Sequence, residues 1–277
     1  MNKSSSGDSE SLSQAIETLR IYCGLLLLNL EKYKKGLDDN IIGDFIARGM
    51  TCTDSIFVVW QQGREQDAWI LHRSLVDRLF LLHYLIESNS FAAFEEYSFM
   101  KTYETRRGLL NDKEMLNKFS ADQIKGLKEL LKSQEACYLQ LKSKPNQWCR
   151  PKAKEVAKNM GLGFLYRFGY DYASMYVHPM ALDGEVDFIR LVSSSNNRSH
   201  TDSTVIKNSI LVQSILIQEG INASSMKWRA IIYDFLDQIL KFLGDANNLE
   251  FNATLYKIGR IWPDNDLCKS RDSSILK

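Results

Sequence analysis

Residues 64–87 read REQDAWILHRSLVDRLFLLHYLIE. Trp69, Leu71, Leu75, Val76, Leu79, Leu82 and Leu85 recur at helical spacing and cover most sides of the cylinder. A helix apolar on most sides belongs in the middle of a protein, so this stretch is expected to be the central helix. Upstream, Leu12, Ile16, Leu19, Tyr22, Cys23, Leu26, Leu30 and Tyr33 mark one buried face of a helix over 11–35, stopped at Gly36. Asp38 or Asp39 is placed to cap the next helix, 40–62, whose inward residues are Ile42, Phe45, Ile46, Ile56, Val59 and Trp60. Gly49 loosens its middle.

Downstream, Phe91, Phe94, Tyr97, Met100 and Tyr103 predict a helix over 90–110. Ser120 and Gln123 have the spacing of a capping box and open a helix to 141, mostly charged, with a thin stripe of Ile124, Leu127, Leu130 and Leu131. That helix is expected on the surface or protruding. Residues 144–151 read as a loop and 152–160 as a short helix. A helix over 162–177 is stopped by Pro179, which also pushes His178 out of helical geometry. Residues 181–192 fit either an extended segment or a short helix, and 193–203 form a polar loop. Two further helices are expected over 203–219 and 223–243. The fold class that follows is all-α: a single bundle of about eight helices spanning 11–262, with a disordered tail at 1–10 and a polar tail at 263–277.

Composition agrees. Four prolines and 15 glycines among 277 residues are too few turn formers for an all-β chain. The net charge of +1 lacks the basic surplus of a dedicated nucleic-acid binder, although Lys142, Lys144, Arg150, Lys152 and Lys154 make a local basic run. The five cysteines, at 23, 52, 137, 149 and 268, are scattered, odd in number and without a CxxC pair. This argues against a disulfide framework and fits a reducing, cytoplasmic setting. The start is polar, without an apolar signal core, and the early apolar run Ile21 to Leu30 is half the length of a membrane span. No membrane partner is expected.

Candidate chemistry lies in two segments. There is no phosphate-binding glycine loop, no HExxH and no GxSxG, and histidine occurs only at 72, 83, 178 and 200. On the central helix, Arg73 and Asp77 are four apart and placed to pair. A charge embedded there needs a partner, because an unpaired buried charge is very costly. His72 and His83 lie three turns apart on nearly one stripe. In the second segment, Tyr166, Tyr170 and Ser174 fall at successive i+4 positions, with Tyr172 beside them and His178 at the helix end. There the exposed carbonyls favour a protonated imidazole. The plainer reading of both segments is an internal clamp and an aromatic core stripe ended by a capping histidine.

The pairing of Arg73-Ser-Leu-Val-Asp77 with Tyr172-Ala-Ser-Met-Tyr-Val-His-Pro179 resembles a bacterial all-helical family, domain-of-unknown-function family 5677. Its members carry an Arg-x-x-x-acid helix and a Ser-x-x-x-His-Pro element. Asp77 stands where glutamate is more usual, which shortens the reach of the acid. The resemblance runs over about residues 40–245 and implies an all-helical fold and a bacterial source, without an activity. A second resemblance is to the HEPN superfamily of helical, frequently dimeric RNA-cleaving toxins, and rests on the Arg-x4-His spacing of Arg78-Leu-Phe-Leu-Leu-His83. It implies a metal-independent endoribonuclease acting as a toxin or as a phage-defence or stress effector. Histidine would move the ribose 2′-hydroxyl proton and arginine would hold the phosphate charge. Two departures are Leu79, where those toxins carry a polar residue, and the divergence of about 140° between residues five apart on a straight helix.

Two functions compete on this basis. One is the ribonuclease, with Arg78 and His83, or Arg73 and His178, as working pairs together with Asp77, and RNA as substrate. The other is a non-catalytic interaction or ligand-binding module, in which Arg73 and Asp77 face Tyr172, Ser174 and His178. This cluster holds the bundle together or recognises a small polar ligand, with Tyr166, Tyr170, Tyr172 and Ser174 as binding groups and the helix 120–141 and the loop 193–203 turned to a protein partner. Either form is expected to be a homo-oligomer. No cofactor is called for, and the short supply of histidine leaves a metal-dependent hydrolase as the lowest-ranked class.

Overall fold

The computed structural model describes residues 4–145, 148–178 and 202–226, together with 233, 234, 236–239 and 241. Every regular element among them is helical. The long helices are α1 (Ser4–Tyr33), α2 (Leu37–Gln61), α3 (Glu65–Glu87), α4 (Phe91–Asn111) and α6 (Ala121–Lys142). α5 (Lys113–Leu116) is a single turn, and α7 (Ala153–Asn159) and α8 (Gly163–Leu165) are short. A π-helix (Tyr166–Asp171) runs directly into α9 (Tyr172–Val177), and α10 spans Thr204–Ala223. α1 begins at Ser4, ahead of the expected start at Ser11. The expected segment 181–192, the loop 193–201, most of the helix 223–243 and the tail 263–277 lie outside the described residues. Among the described residues, no helix is long and apolar enough to cross a membrane.

Four helices make the core, and their directions follow from their cross-links. Arg20 of α1 pairs with Asp54 of α2, and Leu30 lies against Gly43, so α1 and α2 are antiparallel. The turn at Gln62–Arg64, where Gly63 takes φ +74°, reverses the chain into α3. His72 reaches Ser209 and His83 reaches Glu219, so α3 and α10 run parallel. α2 and α10 meet through glycines: a Cβ on Gly220 would lie 2.8 Å from Ile42, and one on Gly49 would lie 2.3 Å from Gln213. The missing side chains let these two backbones approach closely.

α3 is central, as its apolar pattern requires. Leu75, Val76, Leu79, Leu82 and Leu85 are all fully buried. Burial of this order stabilises each large aliphatic side chain by about 1.5–3 kcal/mol. α6 opens with the expected capping box: Ser120 accepts from the Gln123 amide, and the Gln123 side chain accepts from the Ser120 amide. It packs on α4 around a small second core of Met100, Tyr103, Leu131 and Tyr138, where the two tyrosine rings stack at 4.2 Å.

Asp39 does not cap α2 with its side chain, since Gly36 is the N-cap residue. Instead its carboxylate accepts from the Lys35 amide at 2.8 Å and from the Ser225 amide at 2.9 Å, and also from the Ser225 hydroxyl. This joins the start of α2 to the chain leaving α10. Burial alone would raise the carboxyl, but the bonds from Ser225 and Lys35 outweigh it and hold Asp39 below the usual carboxylate range.

Candidate functional site

The polar residues of α3 are distributed around the helix, and each meets a different neighbour. His72 is fully buried, and its Nδ1 lies 2.9 Å from the Ser209 hydroxyl of α10. That hydroxyl donates its own proton to the Val205 carbonyl at 2.6 Å. Its oxygen is therefore the acceptor, and His72 carries its proton on Nδ1. Nε2 is then a bare lone pair, buried without a hydrogen-bond partner among the described residues and facing Gly169 of the π-helix. A proton added there would have no acceptor, and burial pushes the His72 pKa down to about 4.

Arg73, one residue on, points to the π-helix. Its Nη2 donates to the Tyr170 hydroxyl at 3.2 Å, and its guanidinium carbon lies 4.6 Å from the Tyr170 ring centroid. Tyr166 stacks on Tyr170 at 5.5 Å, which extends the aromatic wall beside the arginine. Burial raises the Tyr166 phenol above its ordinary value, the neighbouring Asp171 and Tyr170 add to this, and Arg73 opposes it.

The expected Arg73–Asp77 pair does not form. Asp77 pairs with Arg150, from the loop before α7. The reason is that loop's anchor. Trp148 sits in a ring of Tyr97 at 4.9 Å, Phe94 at 5.2 Å and Tyr84 at 6.4 Å, and this carries Arg150 to the outer side of α3. Arg73, relieved of Asp77, takes the aromatic face instead. Guanidinium groups stack well on aromatic rings, because they are planar and weakly hydrated.

Arg78 and His83 face different helices. Arg78 is half-buried between Cys52 and Arg48 of α2 and the Asp77–Arg150 pair, and burial lowers its pKa from the usual arginine value. His83 Nδ1 lies 2.9 Å from Glu219 of α10. The divergence expected of residues five apart is thus realised in the packing.

The expected straight helix over 162–177 is interrupted by the π-turn, whose i→i+5 bonds break the i+4 line from Tyr166 to His178. Ser174 bonds back to the Tyr170 carbonyl at 2.8 Å. Tyr172 packs edge-on against Trp69 at 5.3 Å and shares a 2.7 Å hydrogen bond with the Tyr176 hydroxyl. His178 closes α9 through its backbone, which donates to Ser174, while its side chain is exposed. So Arg73, Tyr166 and Tyr170 come together and Tyr172 sits beside Trp69, while His178 is exposed at the helix end, with its backbone alone bonded to Ser174 among the described residues. Among the described residues, no group of three or more His, Cys, Asp and Glu is close enough to hold a metal ion.

Sequence reasoning missed Trp148, Arg150, Gly169, Ser209 and Glu219. A lone tryptophan in a loop bounded by Pro145 and Pro151 was a usable signal for an anchored segment. The others had none, since their roles depend on how distant helices dock.

The π-turn also explains a mutational sensitivity. A Cβ on Gly169 would lie 2.9 Å from Leu165, 3.2 Å from His72 Nε2 and 3.3 Å from Val76. We expect Gly169→Ala to lower stability by about 1–2 kcal/mol despite alanine's better helix propensity. Chemical unfolding decides this, and an unchanged midpoint would show that the segment does not bear on α3.

The fold and this cluster define an all-α bundle whose central helix is cross-linked by polar groups to its neighbours and flanked by a π-helical segment. The chain belongs to a family of unknown function, DUF5677, whose model matches residues 39–196. The match includes both the Arg73–Asp77 segment and the tyrosine-rich segment, and ends before α10, short of the expected limit near residue 245. No curated protein and no solved structure matches the chain.

Proposed function

We propose that the chain is a non-catalytic helical interaction or ligand-binding module, in which Arg73, Asp77, Tyr166, Tyr170, Tyr172 and Ser174 hold the bundle together. The observation that carries this reading is the dispersal of the polar groups of α3. His72 goes to Ser209, Arg73 to Tyr170, Asp77 to Arg150 and His83 to Glu219. A catalytic constellation requires such groups aimed at one reacting atom. Here they are aimed outward from one helix at three different parts of the chain.

The competing reading is an RNA-cleaving toxin or defence effector built on Arg78 and His83. It needs both groups on one phosphodiester. Arg78 lies toward α2, and His83 is engaged by α10.

Two measurements test the proposal. Arg73→Ala is expected to cost about 2 kcal/mol, through the lost ring contact, hydrogen bond and stem packing. That corresponds to a fall of roughly 4–8 °C in Tm. Arg73→Lys recovers only part of it, because an ammonium lacks the flat face that lies on Tyr170. Purified protein incubated with RNA is expected to leave it intact, as is a His83→Ala, His178→Ala double variant. Cleavage by the wild type that the double variant lacks would establish the nuclease and overturn the module.

A further inference from the structure

The segment formed by α8, the π-helix and α9 buries one side and leaves the other bare. Gly169 and Ala173 are buried, and Tyr166, Tyr170 and Tyr176 pack partly against the core. On the opposite side Phe164 is 74% exposed, Phe168 53%, Met175 51% and Val177 38%, and Tyr172, one edge of which packs on Trp69, borders the strip and stays 40% exposed. The Phe164 and Phe168 rings lie 4.6 Å apart, so they form one surface. Exposed apolar residues scattered singly are ordinary on any protein. A continuous strip within a single helical segment marks a contact surface.

The charges on the strip identify the occupant. Arg167 and Asp171 are both exposed, lie one turn apart and make no ion pair with any described residue. A second copy of the strip, turned by a two-fold axis, lies antiparallel to the first. Arg167 of each copy then meets Asp171 of the other, and the ends exchange, bringing Phe164 opposite Met175 and Phe168 beside Tyr172. A parallel arrangement would set arginine against arginine. Self-complementarity under a two-fold is the defining property of an isologous contact. A net charge of +1 adds little repulsion between copies.

We infer that the strip Phe164, Arg167, Phe168, Asp171, Tyr172 and Met175 is the interface of a homodimer of this chain. This names the partner in the interaction-module reading and rests on that reading for its meaning. The two fail separately: a dimer that cleaves RNA overturns the module and leaves the interface standing.

The test is sedimentation velocity on the full chain over a concentration series, with far-ultraviolet circular dichroism to check that each variant is folded. Wild type is expected to sediment as a dimer. Phe168→Asp places a charge in the middle of the strip and is expected to weaken the dimer about a hundredfold. Arg167→Asp sets like charges face to face and weakens it about tenfold, and adding Asp171→Arg restores it, because both pairs re-form with reversed sign. The charge pair serves as a second probe if Phe168→Asp fails to fold. Three results each overturn the proposal: a wild type monomeric at every concentration, whose strip then serves some other partner; a folded Phe168→Asp protein that stays dimeric; or a double reversal no more dimeric than Arg167→Asp alone.

Discussion

Between pH 6.5 and pH 4 the protein is expected to lose about 3 kcal/mol of stability through the single side chain of His72. An unfolded histidine takes its proton near pH 6.5, whereas burial holds the folded His72 down to about 4. Above pH 6.5 both states are neutral and the contribution is fully present. As the pH falls below 6.5 the unfolded chain binds a proton that the folded one refuses, so unfolding becomes progressively easier. Near pH 4 the folded protein begins to protonate as well, and the loss levels off. The local structure accounts for the size of the effect. Nδ1–H is committed to Ser209, Nε2 faces Gly169, Trp69 lies edge-on at 5.3 Å, and no carboxylate among the described residues offsets the burial.

Urea midpoints across this range measure the loss. Carboxylates contribute their own acid slope, so the informative quantity is the difference from His72→Gln. Glutamine keeps a donor for Ser209 and does not titrate. The wild type is expected to lose the extra 3 kcal/mol and the variant is not. Parallel curves for the two proteins would show that His72 is not held neutral by the fold.

Gly49→Leu is expected to be the other severe change, lowering Tm by roughly 10 °C or preventing folding outright. Two effects oppose each other at this position. Glycine inside a helix costs about 1 kcal/mol relative to alanine, so replacing it should help. The added Cβ, however, would lie 2.3 Å from Gln213 Oε1 and 2.7 Å from Leu216 on α10. Gln213 is fully buried and holds the Ile46 carbonyl at 3.2 Å, so it has little room to withdraw. Overpacking wins already at Gly49→Ala, with a net cost of about 1 kcal/mol, and grows with the larger side chain. Gly24 in α1 gives the opposite sign. A Cβ there meets nothing within 4 Å, and Gly24→Ala is expected to stabilise by about 0.5–1 kcal/mol. Thermal melts of the three variants decide the matter, and a Gly49→Ala protein as stable as Gly24→Ala would refute the close approach of α2 and α10.

The same contrast shows how much was legible beforehand. Gly49 was recognisable as a weak point of its helix, yet the helix it admits lies more than 150 residues downstream. The tyrosine-rich segment was recognisable as helical, and one reading made it an aromatic core stripe. The structure buries Gly169 and Ala173 and leaves Phe164, Phe168 and Tyr172 outside. Which side faces in depends on the π-turn and on α3, neither of which is written in the local spacing. For the candidate site, Arg73 and Asp77 were expected to face Tyr172, Ser174 and His178, whereas Arg73 lies on Tyr170, which stacks on Tyr166, and Asp77 is taken by an arginine delivered from a loop.

Periodicity of apolar residues determined the helices, the all-α class and the central place of α3, and the Ser120–Gln123 spacing determined where α6 begins. These are local properties, set by groups three or four residues apart. Docking decided the rest: that His72 is sealed against Ser209, that Arg73 lies on Tyr170, that Arg150 takes Asp77 and that Arg78 and His83 face apart. Each of these contacts joins residues far apart in the chain, and a helix's own pattern states which face is apolar without stating which partner that face will meet.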